Sequence, residues 1–70
     1  MEYSEERVAE RLRMYRAKVN LTQEQVSLRI GNDRQAVGRW ESGINVPSVP
    51  SLYKLADVYG CTMDELAGRV

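Results

Sequence analysis

The sequence has no histidine and only one cysteine, Cys61. Those two side chains supply most zinc ligands, so a metal centre would have to rest on carboxylates alone, and none is expected. Without histidine there is also no base-and-nucleophile set. The serines at 27, 42, 48 and 51 have no evident activating partner, and no enzyme activity or cofactor is expected. A lone cysteine cannot close an internal disulfide, which suits a reducing cytoplasm. No apolar run approaches the roughly 20 residues needed to span a bilayer, and the acidic start MEYSEER has no signal-peptide pattern. Net charge is missing too, since ten Lys and Arg balance ten Asp and Glu. Indiscriminate binding to polyanions is therefore not expected.

What is present is an ordinary globular composition. The 70 residues are 43% hydrophobic and 29% charged, enough for a single domain over 1–70 with one small core. The charge is unevenly spread. Residues 1–10 hold Glu2, Glu5, Glu6 and Glu10 against Arg7. Residues 11–39 hold Arg11, Arg13, Arg16, Lys18, Arg29, Arg34 and Arg39 against only Glu24 and Asp33. Residues 40–70 return to a slight acidic excess.

No segment alternates with period two, and the apolar residues recur at helical spacing. Ser4 is a candidate cap for a first helix reaching Val19, with Val8, Leu12, Tyr15 and Val19 facing inward. Glu5 and Glu6 suit its positive start, Arg16 and Lys18 its end, and Asn20 the left-handed stop. A fourth helix begins near Ser48 to Ser51, with Leu52, Leu55, Ala56 and Tyr59 inward and Gly60 as its stop. Thr62 with Glu65 forms a capping box for a short fifth helix through Leu66. The expected fold is all-α with about five helices.

The stretch TQEQVSLRIGNDRQAVGRWE, residues 22–41, carries the most information. Thr22 and Gln25 make a capping box, preceded by Leu21 as a hydrophobic staple against Val26. Val26 and Ile30 give this second helix one apolar face, and Gly31 allows positive φ in the turn that follows. Asp33 then caps a third helix with Val37 and Trp40 inward and Gly43 as its stop. The outer face of that helix displays Arg34, Gln35, Gly38 and Arg39. Arginine and glutamine match the major-groove edges of guanine and adenine, so this helix-turn-helix, about 23–42, points to DNA.

The pieces LTQEQVSLRIG, RQAVGRWESG and NVPSVPSLYKLADVYGCTMDEL, in this order and spacing, resemble the Cro and lambda-repressor (Xre-like) family over residues 5–66. That resemblance implies a compact five-helix lambda-repressor-like domain whose third helix, about 33–42, enters the major groove of a double-stranded operator, usually as a homodimer. It implies base contacts from Arg34, Gln35 and Arg39, with Gly38 on the same surface. Thr22, Gln23, Ser42 and the backbone around Asn45 fall where the family meets phosphates, and Gln23 would also brace the first reading residue. Arg16 and Glu41 occupy the positions of the family's structural ion pair. Four residues depart from the pattern. Asn32 replaces an apolar turn residue, Asp33 a Ser or Thr cap, and Ser27 an alanine, while Gly38 presents no side chain.

Each of these residues also has a plainer reading. Arg34 and Gln35 could be solvated helix residues, Arg39 could join an ion pair near Glu41, and Gln23 could simply favour helix. Trp40 could stack on bases, but its spacing from Val37 assigns it to the core. Cys61 reads as an inert buried thiol with no basic residue nearby. Tyr53 with Lys54 could form a dimer surface or a solvated face, and at most one of Tyr53 and Tyr59 can be deeply buried. The expected function is transcriptional regulation, most simply repression. The rival is a protein-interaction adaptor or antitoxin-like module on the same fold, with a protein rather than DNA as partner.

Overall fold

The computed structural model describes residues 3–69, and among them forms five helices and no strand. They are α1 (Glu5–Val19), α2 (Gln23–Ile30), α3 (Arg34–Glu41), α4 (Val49–Tyr59) and α5 (Met63–Ala67). Each begins at a side-chain cap on an extended residue, in turn Ser4, Thr22, Asp33, Ser48 and Thr62. An oxygen on each cap takes an amide that has no partner within the helix. Thr22 and Thr62 form full capping boxes with Gln25 and Glu65. Helix α1 ends on Asn20 in the left-handed region, at φ 58°. At the start of α4, Val49 is helical despite the following proline, because Ser48 caps the helix and Pro50 falls in the first turn, where its missing N–H costs nothing.

Helix α1 packs against α3, α4 and α5, while α2 packs against α3 and α4. One core results, built from Val8 and Leu12 of α1, Val26 and Ile30 of α2, Val37 and Trp40 of α3, Leu52, Leu55, Ala56 and Tyr59 of α4, and Leu66 and Ala67 of α5. Each fully buried Leu or Val contributes about 1.5–3 kcal/mol relative to exposure, so this cluster is the main source of stability. Trp40 is only 7% exposed and belongs to the core, which leaves no stacking platform there. Tyr59 is buried and Tyr53 exposed. Tyr15 and Val19 are only partly buried and pack against the edge of this core.

The basic block of α1 is not a free cationic face. Arg11 Nε donates to the Glu65 carbonyl at 2.8 Å, and Arg7 Nε to the Gly68 carbonyl at 2.8 Å, so both serve the carbonyl-rich end of α5. Arg13 donates to the Glu41 carbonyl at the end of α3 in the same way. Arg11 and Lys18 also flank the Tyr15 ring, 5.8 and 4.9 Å from its centroid. Three of the seven cations in residues 11–39, Arg11, Arg13 and Arg16, are thus engaged in holding helices together.

Cys61 likewise departs from expectation. It is half-buried, and the positive charges of Arg11 and Lys18 do reach it. Burial, helped by the charge of Glu65, outweighs them and pushes the thiol above its ordinary pKa.

Candidate nucleic-acid interface

Between α2 and α3 the chain turns on Gly31, at φ 75°, and Asn32, whose amide donates to the Ser51 hydroxyl at 3.3 Å. This polar bond to the start of α4 explains how Asn32 serves in place of an apolar turn residue. Asp33 Oδ1 accepts the Ala36 N–H at 2.7 Å. Its charge is therefore engaged by the positive start of α3. Ser27 is 3% exposed and donates to the Glu24 carbonyl at 2.8 Å, which satisfies its buried hydroxyl.

Behind α3, Glu41 ends the helix with a side chain 2% exposed. Arg16 clasps it with two bonds, Nε to Oε2 at 2.7 Å and a terminal nitrogen to Oε1 at 2.9 Å. The same guanidinium donates to the Leu21 carbonyl at 2.9 Å, which ties α1 to the entrance of α2. Glu41 raises the Arg16 pKa through this hydrogen bond, against the opposing effect of burial. Gln23 completes the cluster, its Nε2 donating to Glu41 Oε1 at 3.1 Å.

On the outer side, Arg34, Gln35 and Arg39 are exposed, and Gly38 lies between them and α2. A shallow depression gathers Gln23, Gln35, Gly38, Arg39, Ser42 and Ile44. Arg34 is not part of it. Its guanidinium turns toward Glu24 of α2, at 3.6 Å, an exposed pair easily exchanged for another anion. Thr22 and Asn45 are exposed but lie outside the depression, and the Thr22 hydroxyl oxygen already accepts the Gln25 N–H at 3.1 Å.

Two residues of this surface escaped the sequence reading. Ile44 is 63% exposed beside the polar readers, and its loop composition gave no hint of that. Glu24 was counted only as charge, because nothing local links it to Arg34 ten residues on.

A helix-turn-helix family model matches residues 12–66. The chain belongs to this family. Within the helix-turn-helix family it is 36% identical over 63 residues to the cryptic phage CTXphi transcriptional repressor RstR of Vibrio cholerae, covering 90% of this chain and 56% of that one. It is 39% identical over 57 residues to the transcriptional activator BcrR of Enterococcus faecalis, covering 81% of this chain and 28% of the activator. The chain thus spans only part of these two regulators. An uncharacterised helix-turn-helix regulator of Archaeoglobus fulgidus is 34% identical over 56 residues, about four-fifths of each chain. The solution structure of the SOS-response transcriptional repressor LexA from Eubacterium rectale superimposes with a TM-score of 0.86 at 27% identity, over 94% of this chain and 70% of that one.

Proposed function

We propose that this helix-turn-helix domain is a sequence-specific, double-stranded-DNA-binding transcriptional regulator acting as a repressor. The observation that carries the reading is the exposed row of Arg34, Gln35 and Arg39 on α3, a helix braced from behind by the buried Glu41–Arg16 pair. Paired hydrogen bonds from such side chains discriminate guanine and adenine in the major groove. A rigid helix presents them with little ordering cost. Thr22, Ser42 and the backbone near Asn45 flank that row and are the proposed phosphate contacts. The repressor sign follows RstR and LexA, both named as transcriptional repressors.

Four of the ten cations, Arg7, Arg11, Arg13 and Arg16, bind protein groups, which limits the phosphates one domain can neutralise. One domain therefore binds weakly, and a homodimer on two half-sites about one helical turn apart supplies the missing contacts. Val49 and Tyr53, exposed one turn apart on α4, are available for such pairing. No helix among the described residues is long and apolar enough to cross a membrane, and the working location proposed is the cytoplasm.

Selection of bound sequences from a random DNA pool tests the reading. A two-fold symmetric consensus is the expected result. Absence of binding even at low salt would instead favour a protein-interaction adaptor.

A further inference from the structure

Gln23 is the first residue of α2, and its carboxamide lies between two residues of α3. Its Nε2 donates to Glu41 Oε1 at 3.1 Å. Its Oε1 faces Gly38, where a β-carbon would stand 3.5 Å away. The two ends of this amide are not interchangeable. A carboxylate held by Arg16 through both oxygens can only accept hydrogen bonds. Turning the amide over would set two acceptor oxygens against each other inside the protein. The charge on Glu41 therefore fixes the nitrogen inward and the oxygen toward Gly38. Glycine at 38 leaves the approach to that oxygen free, and Gln23 lines the same depression as Gln35 and Arg39.

We infer that Gln23 reads a base, its Oε1 accepting a hydrogen bond from an exocyclic amino group, adenine N6 or cytosine N4, on the major-groove edge. This rests on the DNA-binding reading above and departs from the phosphate role that the family resemblance implies for Gln23. Phosphate oxygens and the O6 and N7 of guanine are acceptors and are repelled by a fixed carbonyl oxygen. One of the two hydrogens on the side-chain nitrogen already serves Glu41, which leaves Oε1 as the end held toward the depression. Arg34, Gln35 and Arg39 bring donors to this face, so Gln23 adds a committed acceptor beside them.

The test starts from the selected operator. Each adenine in a half-site is replaced in turn by purine, and each cytosine by pyrimidin-2-one, which delete only the amino group. Affinities are then measured for the wild type and for Gln23→Ala. The expected result is one position per half-site where the deletion weakens the wild type about tenfold more than it weakens Gln23→Ala. The analogue responsible tells adenine from cytosine. Weakened base pairing acts equally on both proteins and cancels in the comparison. Equal loss for Gln23→Ala on every DNA, random sequence included, would mark a phosphate contact and overturn the inference while leaving DNA binding intact. Unchanged affinity of Gln23→Ala on every DNA would overturn it as well. Failure of the wild type to bind any DNA would overturn both readings. Should Gln23→Ala melt early, Gln23→Met restores the volume without the amide and is judged by the same outcomes.

Discussion

Glu41 at the end of α3 and Arg16 in the last turn of α1 form a bidentate pair, 2.7 Å apart at the closest atoms, whose two members are unequally buried. The Glu41 side chain is 2% exposed and that of Arg16 25%, so the two truncations do not cost the same. Removing Glu41 frees an arginine that can still reach water. Removing Arg16 strands a carboxylate with Gln23 as its remaining side-chain partner. Glu41→Ala is expected to cost about 3 kcal/mol, and Arg16→Ala more than that. Chemical denaturation of both variants checks the order, and a smaller loss for Arg16→Ala contradicts it.

Gly38 is expected to be a stability defect. A β-carbon there meets Gln23 Oε1 at 3.5 Å, an ordinary contact, and no backbone strain opposes it. Gly38→Ala should raise folding stability by roughly 0.5–1 kcal/mol through helix propensity and a less disordered unfolded chain. An unchanged or lowered denaturation midpoint would show that the groove has less room than the geometry gives it.

Arg34 pairs with Glu24 at 3.6 Å in the free protein, both side chains being about two-thirds exposed. Such a pair is weak and gives way to a guanine edge. Arg34→Ala should cost roughly 1–3 kcal/mol on the selected operator and relax preference at one base pair. Equal loss on specific and random DNA would assign Arg34 to a phosphate instead. Glu24→Gln should tighten binding modestly at low salt and not at high salt.

Acid should loosen the α5 end of the domain through Glu65. The capping bond from the Thr62 N–H, at 2.9 Å, holds this carboxyl below its ordinary pKa of 4.5. A depressed carboxyl contributes stability that is present above its unfolded pKa and lost as pH falls through its folded value. Glu65→Gln keeps a capping acceptor without the titration. In a pH series, the wild type should therefore lose more stability below pH 4.5 than Glu65→Gln does. Parallel curves would exclude Glu65 as a source of the acid response.

The helices were legible in the sequence because their signals are local. Thr22 meets Gln25 and Thr62 meets Glu65 within a single turn, and Asn20, Gly31 and Gly60 adopt the left-handed region from their own backbone preferences. Apolar spacing placed Val26, Ile30, Val37 and Trp40 inward for the same reason. The row Arg34, Gln35 and Arg39 was readable as the opposite face of that pattern.

What tertiary structure alone decided is where the long side chains go. Arg7 to Gly68, Arg11 to Glu65, Arg13 to Glu41 and Gln23 to Glu41 join residues that meet only after the helices pack. A charge count therefore saw a basic block, whereas packing turned most of its α1 members into helix clamps. The sequence determined five capped helices and the face each buries, because a cap or an apolar stripe is complete within a few turns. The choice of which cations stay free, and which end of the Gln23 amide faces outward, waits on neighbours from other helices, because hydrogen bonding acts only at contact.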